Sequence, residues 1–240
     1  MFILLSIFSS SAVAEQKDTI NVAVSLEPPM VDFVEGRYVG KNIEVIRLLA
    51  NKLNKKLNFL RCPVARCFAM IEYGQADMIV AIRKTPAREK YIGYLNRPYE
   101  VQHFPLRFYL SIDSKLQIKS AKDLNNISIG VLRGFTYFDD FDHNRQLNKV
   151  AVTNHQQLIK MLLNKRIDTF LEREQTIMPL VEQQTYKTKL KLAQYQYDKS
   201  VDSYIGISKM SPFHQDIDLI SEKLSALLDN GAIAAIINPK

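Results

Sequence analysis

Two runs of alternating strand-like and helix-like segments, separated by one proline-broken aromatic stretch, constrain this chain more than any other feature. The first run opens at Thr19 to Ser25, where apolar residues alternate with small or polar ones until Glu27-Pro28-Pro29 stops them, as prolines stop a central strand. Asn42 to Leu53 sets Ile43, Ile46, Leu49, Ala50 and Leu53 at helical spacing, with Asn42 as the expected cap. Leu57 to Leu60 reads as a strand, Val64 to Tyr73 as a helix ended by Gly74, and Met78 to Ile82 as a strand buried on both faces. Arg97 to Ile112, broken by Pro98 and Pro105, reads as extended chain passing between two bodies. The rhythm then restarts with a helical turn at Ala121–Leu124, a strand at Ile127–Leu132 and a helix from Thr136 entered through Gly134. Next come an amphipathic helix from Asn154 to Asn164, with Leu158, Met161 and Leu162 on one stripe, and strands at Asp168–Leu171 and Ser203–Ser208. A helix from Gln215 to Asp229, ended by Asn230-Gly231, closes the chain. Such alternation predicts an α/β fold with parallel or mixed sheets, and 240 residues leave room for two lobes.

The first fourteen residues carry no charge, place an apolar run before three serines and end in Ala12-Val13-Ala14, a small-x-small cleavage pattern. They read as a signal peptide cut before Glu15. The Lys or Arg that normally precedes such a run is absent, which fits a start codon further upstream. The apolar run is far short of the roughly 20 residues that span a bilayer, and no Cys stands at the cleavage point to take a lipid. A free periplasmic protein, without a membrane anchor, is expected. The formal charge of +7 is spread among acids, with no basic block interleaved with aromatics, so solvated surface is expected and not a nucleic-acid groove.

Cys62 and Cys67 are the only cysteines. In an oxidising compartment a pair this close forms a small-loop disulfide; the alternative is two reduced, buried thiols. Metal binding would need further ligands nearby, and the spacing is not the Cys-x-x-Cys of thiol oxidoreductases. His103, His143, His155 and His214 are dispersed, with no Ser or Cys partner at motif spacing and no phosphate-binding glycine loop. Neither catalysis nor a cofactor or metal is expected. Glu27 and Glu172 are the only bases that a catalytic alternative would use.

The order of elements, together with a series of local motifs, resembles the family 3 extracellular solute-binding proteins, of the polar amino-acid type with the type II periplasmic-binding fold. The motifs are Glu27-Pro28-Pro29, Gly40-Lys-Asn-Ile-Glu44-Val, Gly74-Gln-Ala-Asp77 followed by Thr85-Pro86-Ala-Arg88-Glu, Arg97-Pro98-Tyr99, Lys122-Asp123-Leu124 and Leu132-Arg133-Gly134-Phe135-Thr136. The resemblance implies two lobes, each a mixed sheet flanked by helices, joined by two hinge crossovers near Val101–Phe108 and Lys199–Tyr204. Lobe 1 would comprise residues 15–104 and 204–240, and lobe 2 residues 105–203. It implies a monomer that closes its lobes on a small ligand, an amino acid or related organic anion, for an ABC permease. A membrane sensor is the alternative partner, and a dehydratase-like enzyme on the same fold a more distant one.

Arg88 offers a carboxylate paired planar donors that stay charged in a partly desolvated cleft, and the relatives' arginine of this Thr-x-x-Arg pattern grips the ligand carboxylate. The alternative is a solvated helix start shared with Arg83, Lys84, Glu89 and Lys90. Thr85 and Arg83 are further ligand candidates, Thr85 equally a helix cap. Arg133-Gly134-Phe135-Thr136 lies where a strand gives way to a helix, so its N–H groups suit an anion, though an ordinary turn needs Gly there too. Phe33 and Tyr38 are candidates to flank the ligand or to pack in the core. The resemblance also calls for an acid from the second lobe to meet the ligand's ammonium group. The matching position holds Arg173, flanked by Glu172 and Glu174. Either glutamate serves through a one-residue shift; if neither does, the cleft is doubly basic and suits a dicarboxylate.

Overall fold

The computed structural model describes residues 17–238. The expected signal peptide at residues 1–14 lies outside them. Among the described residues the strands are β1 (Thr19–Val24), β2 (Asp32–Val34), β3 (Arg37–Val39), β4 (Lys56–Arg61), β5 (Met78–Ile82), β6 (Ile92–Tyr94), β7 (Glu100–Gln102), β8 (Leu106–Ser111), β9 (Ser128–Leu132), β10 (Asn148–Val152), β11 (Thr169–Arg173), β12 (Leu190–Tyr197) and β13 (Val201–Ser208). The helices are α1 (Lys41–Lys52), α2 (Val64–Glu72), α3 (Pro86–Glu89), α4 (Asp139–Asp142), α5 (His155–Leu163), α6 (Glu174–Val181), α7 (Ile217–Asp229) and α8 (Ala232–Ile237).

The strands sort into two mixed sheets and a small hairpin. The first sheet runs β4-β1-β5-β13-β6, with β7 paired to β13, and the second runs β10-β9-β11-β8-β12. In the first, β1 is parallel to β4 and β5, whereas β13 is antiparallel to β5, β6 and β7. In the second, β9 is parallel to β10 and β11, and β8 is antiparallel to β11 and β12. Each sheet with its helices forms one lobe, and the chain passes between the sheets once from β7 to β8 and once from β12 to β13.

Apolar side chains cover both faces of each sheet, which is why β5 reads as a near-continuous apolar run. Ile20, Val22, Ile43, Ile46 and Leu49 join α1 to one face of the first sheet, while Ala23, Cys67, Ile71 and Ile79 join α2 to the other. In the second lobe, Phe108, Phe141 and Leu171 pack on one face and Leu158, Ile159 and Phe170 on the other.

Matching aspartates pin the start of the sheet in each lobe. Asp77, just ahead of β5, accepts from the Asn21 backbone N–H at 2.8 Å, from Lys17 at 2.7 Å and from Ser211 at 2.8 Å. Asp168, just ahead of β11, accepts from Ser128 through its backbone N–H at 2.7 Å and its hydroxyl at 2.6 Å.

Several expectations are corrected. Asn42 is not a cap: Gly40 holds that position at φ 113, where an added Cβ would lie 2.4 Å from the Met30 carbonyl oxygen. Asn42 is buried inside α1 and accepts from the Tyr99 hydroxyl at 2.7 Å. Most of Arg97–Ile112 is not linker, since β7 and β8 pair in opposite sheets and only residues 103–105 lie between them. No helix begins at Thr136. Tyr137, Phe138 and Phe141 are drawn into the core and Tyr137 N–H is held by Asp142, leaving only the single turn of α4. On α5 the buried stripe is Leu158, Ile159 and Leu162, with Met161 half-buried.

Candidate functional site

A cavity of about 130 Å3 lies between the lobes. Glu27, Arg83, Arg88 and Phe68 line it from the first lobe, and Gly134, Phe135, Thr136, Glu172 and Arg173 from the second.

Arg83 and Arg88 reach the cavity because β5 bulges and ends there. Tyr204 pairs with Ile82 but Gly206 with Ile79, so β5 carries one extra residue, and Ala81 adopts φ 61 beside the cavity. Thr85 then caps α3, its hydroxyl oxygen accepting from Arg88 N–H at 3.4 Å, with Pro86 opening the helix. Arg88 is 9% exposed, and its guanidinium lies 3.8 Å from the Phe68 ring centroid. Nη1 donates to the Arg83 carbonyl at 3.1 Å, and Nη2 crosses the cleft to the Gly134 carbonyl at 2.9 Å. Arg83 Nη1 likewise reaches the Thr136 carbonyl at 3.4 Å.

Two acids line the same cavity. Glu172, 1% exposed on β11, accepts from the Arg173 backbone N–H at 2.7 Å and meets His155 Nε2 at 3.0 Å. His155 is 6% exposed in the first turn of α5, which Asn154 caps. Burial lowers the proton affinity of His155, but the Glu172 and Glu27 carboxylates outweigh it and hold the imidazole above its ordinary value. Glu27, in the turn after β1, is pushed up to about 7 by burial and by Glu172, against an opposing pull from His155. Arg173 is lowered, by burial first, and its guanidinium donates to the Phe104 carbonyl.

Of the residues singled out from sequence, Glu27, Arg83, Arg88, Gly134, Phe135, Thr136, Glu172 and Arg173 come together here. Thr85, Arg133 and Tyr38 are not in the lining. Thr85 caps α3, and Arg133 is exposed. Tyr38 packs between Phe33 and Phe59 on the β2–β3 hairpin, with ring centroids 4.8 and 5.2 Å apart. Glu174 faces Arg107 at 3.9 Å instead, so Glu172 is the second-lobe acid of the cleft. Sequence reading passed over His155, whose partner stands 17 residues away on another element. Cys62 and Cys67 are joined in a disulfide with Cα atoms 5.3 Å apart, and Cys67 borders the cavity. Among the described residues no cluster of His, Cys, Asp or Glu is placed to hold a metal ion, and no helix is long and apolar enough to cross a membrane.

The sequence profile of the bacterial extracellular solute-binding proteins, family 3, matches residues 20–176. The chain belongs to this family. It is accordingly a solute-binding protein of two α/β lobes, in a family of binding proteins and not of enzymes. No curated protein matches it. Among solved structures, a mutant of ArgBP from T. maritima superposes with a TM-score of 0.76 at 18% identity, covering 92% of this chain and 93% of that one. An ancestral arginine-binding protein bound to arginine gives 0.76 at 20% identity, with 92% and 96% covered. The GluR0 ligand-binding core in complex with L-glutamate gives 0.71 at 19% identity, with 91% and 96% covered. At these identities the likeness establishes the two-lobed fold of the family 3 binding protein.

Proposed function

We propose that this family 3 protein captures a small carboxylate-bearing ligand, an amino acid or related organic anion, in the interlobe cavity and delivers it to an ABC-type permease. The observation that carries the reading is the convergence of Arg88 from one lobe and the Gly134–Thr136 loop from the other on a cavity that Glu27 and Glu172 also line. The guanidinium receives the carboxylate through paired donors, and the acids receive an ammonium group. Solved relatives of the same fold hold arginine, glutamine and L-glutamate, which supports a ligand of this class. On this reading the protein works as a periplasmic monomer after loss of residues 1–14. The lobe of the first sheet, which includes β13 from Val201, moves as one body against the lobe of the second.

A thermal-shift screen of residues 15–240 against amino acids, dicarboxylates and small organic anions tests the reading, because a ligand that binds only the folded protein must raise its melting point. Stabilisation by one class, lost in Arg88→Ala, supports it. A folded protein stabilised by none of them contradicts it. Loss of uptake of the same compound in cells lacking the protein identifies the permease role, whereas unchanged uptake with altered signalling moves the protein to a membrane sensor.

A further inference from the structure

Glu27, after β1, and Glu172, on β11, line the same cleft, and His155 on α5 meets Glu172 at 3.0 Å. We propose that capture of an ammonium-bearing ligand here is proton-linked, with the incoming ammonium displacing one proton from the Glu27–Glu172–His155 cluster to solvent. The inference rests on the cleft being the ligand site, as proposed above.

Glu172 has its negative charge answered twice, by the His155 ring at 3.0 Å and by the neighbouring Arg173. Glu27 is half-buried on the cavity wall, its carboxyl makes no hydrogen bond among the described residues, and His155 is the one basic group that pulls on it there. Tyr99 and Tyr137, the other titratable groups near it, are buried phenols held neutral by burial, so they bring no charge to offset the carboxylate. Two carboxylates that share a single imidazole on a partly desolvated wall cannot both stay charged at low cost, so Glu27 takes up a proton, in keeping with its raised proton affinity. Below neutrality the empty cluster then holds a protonated Glu27 beside the Glu172–His155 pair. An ammonium group supplies the missing counter-charge, so Glu27 ionises as the ligand seats. A ligand with a carboxylate but no ammonium group finds a proton donor in Glu27 and releases nothing.

Calorimetric titration of the mature chain with L-arginine, L-glutamine and succinate, in buffers of different ionisation enthalpy, counts the protons. The expected result is about one proton released per amino acid at pH 6 and none at pH 8.5, with affinity falling about tenfold for each pH unit below neutrality. In Glu27→Gln that release should vanish. Amino-acid binding with no proton release, at an affinity flat in pH, overturns the linkage while leaving the function above intact. Carbon-detected NMR of the ligand-free chain decides the matter without any ligand: a Glu27 carboxyl titrating near neutrality is required, and one titrating in the ordinary carboxylate range overturns the proposal.

Discussion

Arg88 Nη2 donates to the carbonyl oxygen of Gly134 across the cleft at 2.9 Å, so the arginine expected to grip the ligand also ties the two lobes together. Replacing it removes both the anion's partner and an interlobe bond. Truncating one partner of a buried, charge-assisted pair costs about 2–5 kcal/mol. Arg88→Ala should therefore weaken ligand binding by about 100-fold or more, with Arg88→Lys intermediate because an ammonium cannot present paired planar donors. Calorimetry on the three proteins measures this.

Gly134 sits at φ 87, and a Cβ there would fall 2.9 Å from the backbone N and Cα of Ala65 at the head of α2. Gly134→Ala should leave each lobe folded yet hinder their closest approach. The expected outcome is a weaker ligand affinity and, by small-angle scattering with ligand, a more open particle than the wild type.

The Cys62–Cys67 bridge closes a short loop that carries Val64 and Ala65 toward the second lobe and precedes Phe68 beneath Arg88. Loop-closure entropy for a ring of this size is worth roughly 2 kcal/mol. Reduction, or Cys62→Ala with Cys67→Ala, should lower the melting point and slacken binding. Melting curves and titrations with and without reductant check both effects.

The folded-state proton affinities of Glu27 and His155 are both raised, which fixes the sign of the pH dependence. Each contributes stability that is fully present below its unfolded value and lost as pH rises through its folded one. For Glu27 that window runs from 4.5 to about 7, and His155 adds a loss above 6.5. The ligand-free protein should therefore lose stability as pH rises across this range, and Glu27→Gln should flatten most of the lower part. Melting points measured from pH 4.5 to 8 in both proteins test it.

The buried strands β1, β5 and β9 and helices α1, α2 and α5 were legible because their apolar runs and stripes are local signals. β10 and β12 were not: they sit at the edges of the second sheet, where exposed polar residues such as Asn148 and Gln194 break the pattern. The same contrast runs through the site. Arg88 announced itself through Thr85 and Pro86 beside it, whereas His155 and Glu172 carry no mutual signal and meet only because α5 and β11 pack in the same lobe. Likewise the left-handed Ala81 is imposed by strand pairing with β13, distant in the chain, and nothing in Met78–Ile82 foretells it.

The central claim, that Arg88 anchors a carboxylate-bearing solute between the lobes, is tested most directly by equilibrium dialysis of wild type and Arg88→Ala against the compound that stabilises the wild type. Saturable one-to-one binding to the wild type, weakened about 100-fold in the variant, is the expected result. Equal binding by both proteins, with the variant folded, would contradict the account.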